Sequence, residues 1–117
     1  SKELWEEIAF SFQVVGLCKS NAIVISKGKR TVGIGMGLPS RIDAAEVAIK
    51  KAKDKTKGAI LASDAFFPFP DVIELAASFG IKVIIEPGGS KRDNEVIEAA
   101  KKHKITLIFT GERHFRH

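Results

Sequence analysis

With 117 residues, 44% hydrophobic and 28% charged, the chain has the composition of a folded domain and lies far from the low-hydrophobicity, high-charge signature of disorder. No apolar run approaches the ~20 residues of a spanning helix, and a single cysteine, Cys18, excludes an internal disulfide and any multi-cysteine metal site. The net charge of +5 would suit nucleic acid if it were clustered, but lysines such as those of Lys50-Lys51-Ala52-Lys53-Asp54-Lys55 are interleaved with alanine and acid, the pattern of a solvated helix face.

One domain over residues 1–117 is expected, with no nucleic-acid or membrane partner and a cytoplasmic location, since Ser1 to Trp5 lack a signal-peptide layout. Leu4, Ile8, Phe12 and Val15 recur at helical spacing and predict a first helix over 3–18, with Cys18 among apolar neighbours as a buried structural thiol. Residues 22–26 and 31–35 read as strands joined by a turn at Gly28, which makes a hairpin. Glycines at 33, 35 and 37 imitate a dinucleotide fingerprint, but Leu38 stands where the next glycine belongs, three residues after Gly35, and Pro39-Ser40 interrupts the strand-turn-helix order. The better reading is glycine thinning a strand so that another backbone can approach.

Ser40 is the expected N-cap of a helix over 42–54 whose alanines form a small-residue packing face. Residues 59–63 form a continuous apolar run, as a buried strand does. Asp64-Ala65-Phe66-Phe67-Pro68-Phe69-Pro70-Asp71 has too much proline for strand or helix interior. Helix 71–79, strand 82–85, loop 87–90, helix 93–103 and strand 105–109 complete the order α-β-β-α-β-α-β-α-β. That order predicts a three-layer α/β/α sandwich on a five-stranded mixed sheet, with an antiparallel hairpin at one end and parallel crossovers at the other, the architecture of the cytidine-deaminase-like fold.

Parallel strands ending at Ser63, Ile85 and Phe109 would bring loops 64–71, 87–90 and 110–113 to one carboxyl edge, where open α/β sheets bind ligands. The Phe-Phe-Pro-Phe segment offers stiff apolar surface for a heterocycle. The Pro-Gly-Gly-Ser loop before a helix offers backbone N–H groups for an anion, and Arg41 and Arg113 can fork onto one.

Ser20-Asn21, Gly35-Met36-Gly37-Leu38-Pro39-Ser40-Arg41-Ile42-Asp43, Ala62-Ser63-Asp64-Ala65-Phe66-Phe67-Pro68-Phe69, Pro87-Gly88-Gly89-Ser90 and Thr110-Gly111-Glu112-Arg113-His114-Phe115-Arg116-His117 closely resemble the C-terminal part of the AICAR transformylase family, one domain of the bifunctional AICAR transformylase/IMP cyclohydrolase. The resemblance spans essentially the whole chain. It implies formyl transfer from 10-formyltetrahydrofolate to the 5-amino group of AICAR in purine biosynthesis, chemistry that needs a base, charge stabilisation and tight positioning. It further implies Asn21 as a catalytic, orienting residue and Arg41, Phe66 and Arg113 as AICAR contacts. Ile42, Pro68, Phe69, Asp71, Gly89 and Ser90 are implied to line the folate pocket, and Ser20 and Asp64 to belong to a structural potassium site completed by carbonyl oxygens. A homodimer, or pairing with an upstream transformylase repeat, is the implied assembly.

The same resemblance marks departures. The family's Lys-His pair, whose histidine is the usual base, belongs to a preceding repeat, and His103, His114 and His117 do not replace it. Pro70 stands where arginine is common and Val72 where some members have a polar residue. A zinc deaminase is excluded by ligands, since there is no His-x-Glu and no Pro-Cys-x-x-Cys. The alternative to an enzyme half is an isolated, non-catalytic deaminase-like domain that keeps a partial nucleotide and folate pocket.

Overall fold

The computed structural model describes residues 1–111, beginning with helix α1 (Lys2–Gly16), where the Ser1 hydroxyl accepts the Leu4 N–H and Ile8, Ser11 and Val15 turn inward. Strands β1 (Ile23–Lys27) and β2 (Arg30–Gly35) form the expected antiparallel hairpin, closed through Gly28 and Lys29 at positive φ. Helix α2 (Arg41–Ala52) starts at Ser40, whose Oγ accepts the Asp43 N–H at 3.1 Å. It stops two residues before the expected end, because Lys53 takes a φ of +56° and a single 3-10 turn (Lys53–Thr56) follows. Strand β3 (Ile60–Ser63), helix α3 (Asp71–Ser78), strand β4 (Val83–Glu86), helix α4 (Asp93–Lys102) and strand β5 (Thr106–Phe109) then alternate.

The five strands lie in the order β2-β1-β3-β4-β5. β1 is antiparallel to both neighbours, whereas β3, β4 and β5 run parallel, so the sheet is mixed. Strand periodicity sends alternate side chains to opposite faces. Ile23, Ile25, Leu61 and Ile84 join the apolar cluster under α2, α3 and α4, while Val24, Ile60, Ala62, Val83 and Ile85 join the one under α1. This is the three-layer sandwich, with one helix on one face and three on the other. Burial on both faces explains why β1, β3 and β4 read as unbroken apolar runs.

The glycines of β2 serve packing. A Cβ on Gly33 or Gly35 would fall inside van der Waals contact of the Ala48 or Ala44 carbonyl, so α2 can lie on this strand only because neither residue has a side chain. Ala44, Ala45, Ala48 and Ala52 supply the matching small-residue face. Cys18 is buried and donates to the Val14 carbonyl, and burial, with Asp64 adding to it, pushes its thiol above the ordinary value, as befits a structural thiol.

Candidate functional site

The topology brings the motif segments to one place. Ile23 at the start of β1 is opposite Gly35 at the end of β2 and Ser63 at the end of β3, and β3, β4 and β5 all end in the same direction. Segments 20–22, 36–40, 64–70, 87–92 and 110–111 therefore leave the sheet at a common edge, and α2, α3 and α4 begin there with their positive dipole ends.

One half of this edge is a polar cluster. Asn21 exchanges backbone hydrogen bonds with Leu38, and its Nδ2 donates to the Leu38 carbonyl at 2.8 Å, which locks the side-chain amide against the start of α2. The adjacent Ala22 N–H donates to Asp64 Oδ1 at 3.1 Å, and the Arg41 guanidinium lies 3.9 Å from the same oxygen. Asp64 is fully buried, and its Oδ2 has no hydrogen-bond partner among the described residues. Burial lowers the Arg41 pKa, and the charges of Asp64 and Glu86 oppose that shift. Ser20 is half-buried beside Asn21, and Ile42 packs against the core on the second residue of α2.

The other half is a pocket of about 260 Å³ lined by Phe66, Pro87, Gly88, Gly89 and Gly111, so the three loops do converge. The expected supply of open N–H groups is not found. Gly88 donates to Glu86 Oε1 at 2.9 Å, while Gly89 and Ser90 donate to Asp93 at 2.8 and 3.1 Å. The loop's anion nest is filled by the chain's own carboxylates, because an acid at the first position of a helix turns back onto the N–H groups preceding it.

The three phenylalanines divide their work. Phe67 is core, Phe66 is a half-buried wall of the pocket, and Phe69 is exposed with the Arg92 guanidinium 5.0 Å from its ring centroid. Pro68 is exposed next to it. Asp71 is exposed at the start of α3, and its Oδ1 accepts the Val72 N–H at 2.8 Å. Arg113, His114 and His117 lie outside the described residues, and His103 follows the C-terminal end of α4, at the opposite edge of the sheet.

Glu86 was not among the expected site residues. It is the last residue of β4, fully buried, and burial pushes its carboxyl from 4.5 up to about 7, against the pull of N–H groups from Gly88 and Phe67. The one sequence signal was an acid closing an apolar strand at the carboxyl edge. A larger cleft of about 450 Å³ lies between α2 and α3, lined by Glu46, Ile49, Lys50, Lys53, Leu75 and Phe79. Its charged residues are exposed, and it is remote from the strand ends, so the buried acids of the edge mark the better site. Among the described residues no group of three or more His, Cys, Asp or Glu could hold a metal ion, and no helix is long and apolar enough to cross a membrane.

Residues 1–51 match the model of the AICARFT/IMPCHase bienzyme family. The chain is 54% identical over 115 residues to the bifunctional purine biosynthesis protein PurH of Rhodopirellula baltica, covering 98% of this chain and 22% of that protein. It is 57% identical over 117 residues to PurH of Petrotoga mobilis, covering 100% and 23%. The chain thus spans less than a quarter of the length of these curated relatives. Among solved structures, the apo dCMP deaminase of cyanophage S-TIM5 superposes with a TM-score of 0.62 at 14% identity, covering 91% of this chain and 98% of that one, a likeness of fold alone.

Proposed function

We propose, from the match of residues 1–51 to the AICARFT/IMPCHase bienzyme model and the likeness of nearly the whole chain to part of PurH, that it forms the C-terminal part of the formyltransferase acting on AICAR with 10-formyltetrahydrofolate as donor. The observation that carries this reading is the meeting of Asn21, Arg41, Asp64 and the Phe66 to Gly89 pocket at one sheet edge. The amine of AICAR is a weak nucleophile, so its orientation and the fate of its proton decide the rate. With Nδ2 committed to Leu38, the Asn21 amide keeps its Oδ1 as an acceptor that can orient an amine N–H. Arg41, desolvated and held by Asp64, is a fixed positive charge for an anionic or oxyanionic group, and the Phe66 ring gives a flat face for the heterocycle.

The folate side of the same reading uses Ile42, Pro68, Phe69, Gly89 and Ser90 as walls and the exposed Asp71 carboxylate as acceptor for a ring N–H. Arg113 is assigned as a second AICAR contact. A potassium ion fits the buried, unbonded Oδ2 of Asp64, with Ser20 as the neighbouring oxygen donor, and would serve as a structural hard cation. Residues 1–111 supply no histidine at this edge, so the base comes from a partner: an upstream transformylase repeat, met as a homodimer or an intrachain pair in the cytoplasm. In that reading residues 1–117 are one deaminase-like unit that binds both substrates weakly and turns them over only when joined to its partner.

Single-turnover formyl transfer, measured with this chain alone and again with the upstream repeat added, tests the proposal. Loss of the base predicts a rate about 10²–10⁴-fold below that of the combined halves. Turnover by the chain alone at the combined rate would remove the need for the partner's base, and no transfer in either case would defeat the formyltransferase reading.

A further inference from the structure

Glu86 makes bonds to all three loops that line the pocket. Its Oε1 accepts the Gly88 N–H at 2.9 Å in the loop after β4, and its Oε2 accepts the Phe67 N–H at 3.4 Å in the loop after β3. Its backbone carbonyl accepts the Thr110 N–H at 2.9 Å in the segment after β5, next to Gly111, whose N–H donates to the Pro87 carbonyl. All five pocket residues, Phe66, Pro87, Gly88, Gly89 and Gly111, are thus either bonded to this one residue or adjacent in sequence to it or to something bonded to it. The side chain is fully buried and cannot touch a ligand from behind that wall, so its influence on the pocket passes through the loops.

We propose that Glu86 is a positioning residue for the proposed formyl-transfer site: its carboxylate clasps the loops after β3 and β4 and fixes the spacing between Phe66 and the Gly88-Gly89 wall. The chemistry of the clasp depends on charge. An ionised carboxylate is an acceptor at both oxygens and satisfies both N–H groups, whereas the protonated acid carries an O–H that needs an acceptor of its own, and one of the two N–H bonds is given up. Two charged groups bear on this equilibrium among the described residues. Arg41, at the start of α2, favours the ionised form, and Asp93, at the start of α4, opposes it. Burial outweighs Arg41 and holds the transition near neutral pH, where the clasp can open and close.

The obvious replacement, E86Q, keeps the size of the side chain and removes the charge, but it turns an amide N–H donor toward one of the two backbone donors. Only one loop remains tied. AICAR is the probe, so this assignment rests on the formyl-transfer reading, while a ligand-free measurement on the wild-type chain does not. That measurement is the pH titration of the Phe67 and Gly88 amide protons by NMR. The expected result is a common midpoint near pH 7 for both amides, absent in E86Q, together with AICAR binding to E86Q about tenfold weaker at pH 8. The ratio of wild-type to E86Q affinity should fall toward one as the pH drops from 8 to 6, a ratio in which titration of the AICAR phosphate cancels. Amides that move independently, or that keep the shared titration in E86Q, would overturn the clasp. A shared titration with unchanged AICAR affinity in E86Q would overturn the positioning role. If the wild-type chain itself shows no saturable AICAR binding, the formyl-transfer reading fails, and the clasp stands or falls on the amide titration.

Discussion

The β2–α2 contact and the loop edge of the sheet are both rich in glycine, and the two regions use it for opposite reasons. In β2, Gly33 and Gly35 have ordinary backbone angles and are needed because the Ala48 and Ala44 carbonyls stand where a Cβ would go. At the edge, Gly88 and Gly89 have φ of +78° and +101°, and around Gly89 there is nothing within reach of an added Cβ. The first region spends glycine on proximity between two backbones, the second on a turn whose N–H groups point at carboxylates. The packed region is stabilised by filling space, and the edge by satisfying polar groups, one of them a buried acid that burial itself disfavours in the charged form.

That contrast can be broken at its strong end by one methyl group. G35A forces the α2 backbone away from the sheet and is expected to cost about 3 kcal/mol, near the upper range for overpacking, whereas G89A meets only backbone strain of about 1–2 kcal/mol. Urea denaturation of both variants checks the order, and equal losses would erase the distinction between the two uses of glycine.

A pH series sharpens the other side. The folded-state pKa of Glu86, about 7, lies above the ordinary 4.5, so between these values the folded protein binds more protons than the unfolded chain. Stability from this group is therefore full below about pH 4.5 and is lost as the pH rises to about 7, a change of about 3 kcal/mol. The difference in unfolding free energy between wild type and E86Q should show that fall and level off above neutrality. A difference that stays constant from pH 4.5 to 8 would mean that Glu86 does not titrate in this window.

A smaller effect is expected at Asp93, which accepts the Gly89 and Ser90 N–H groups. D93A leaves both donors to solvent and should cost about 2 kcal/mol, with amide shift changes confined to the loop around residues 88–92. Shift changes reaching α1 would show that the loop is not the independent unit described.

Much of this architecture was legible in the chain. The alternation of β1, β3 and β4 runs with helical patterns defined the mixed sheet, Ser40 announced the start of α2, and Gly33 and Gly35 beside an alanine face announced a close backbone approach. Local spacing carries such information because each feature depends on residues near one another in sequence. Convergence of Phe66 with Gly88 and Gly89 could likewise be expected from parallel strands. What the pattern did not reveal was where carboxylate oxygens turn. Asp93 reads only as the start of a helix, and Glu86 falls unassigned between the expected strand 82–85 and loop 87–90, yet both reach back to loop N–H groups the sequence offered to a ligand. The end of α2 was missed for a similar reason, since nothing in Lys53 itself predicts a positive φ.

Whether the carboxyl edge is the binding site is tested most directly by titrating AICAR into the chain and following backbone and side-chain amides by NMR. Partial sites with one charge-assisted contact and one aromatic wall support affinities of about millimolar to high micromolar. The account predicts saturable shifts clustered at Asn21, Arg41, Phe66, Gly89 and Ser90. Shifts gathered instead at Glu46, Leu75 and Phe79 in the cleft between α2 and α3, or no saturable change at millimolar ligand, would contradict it.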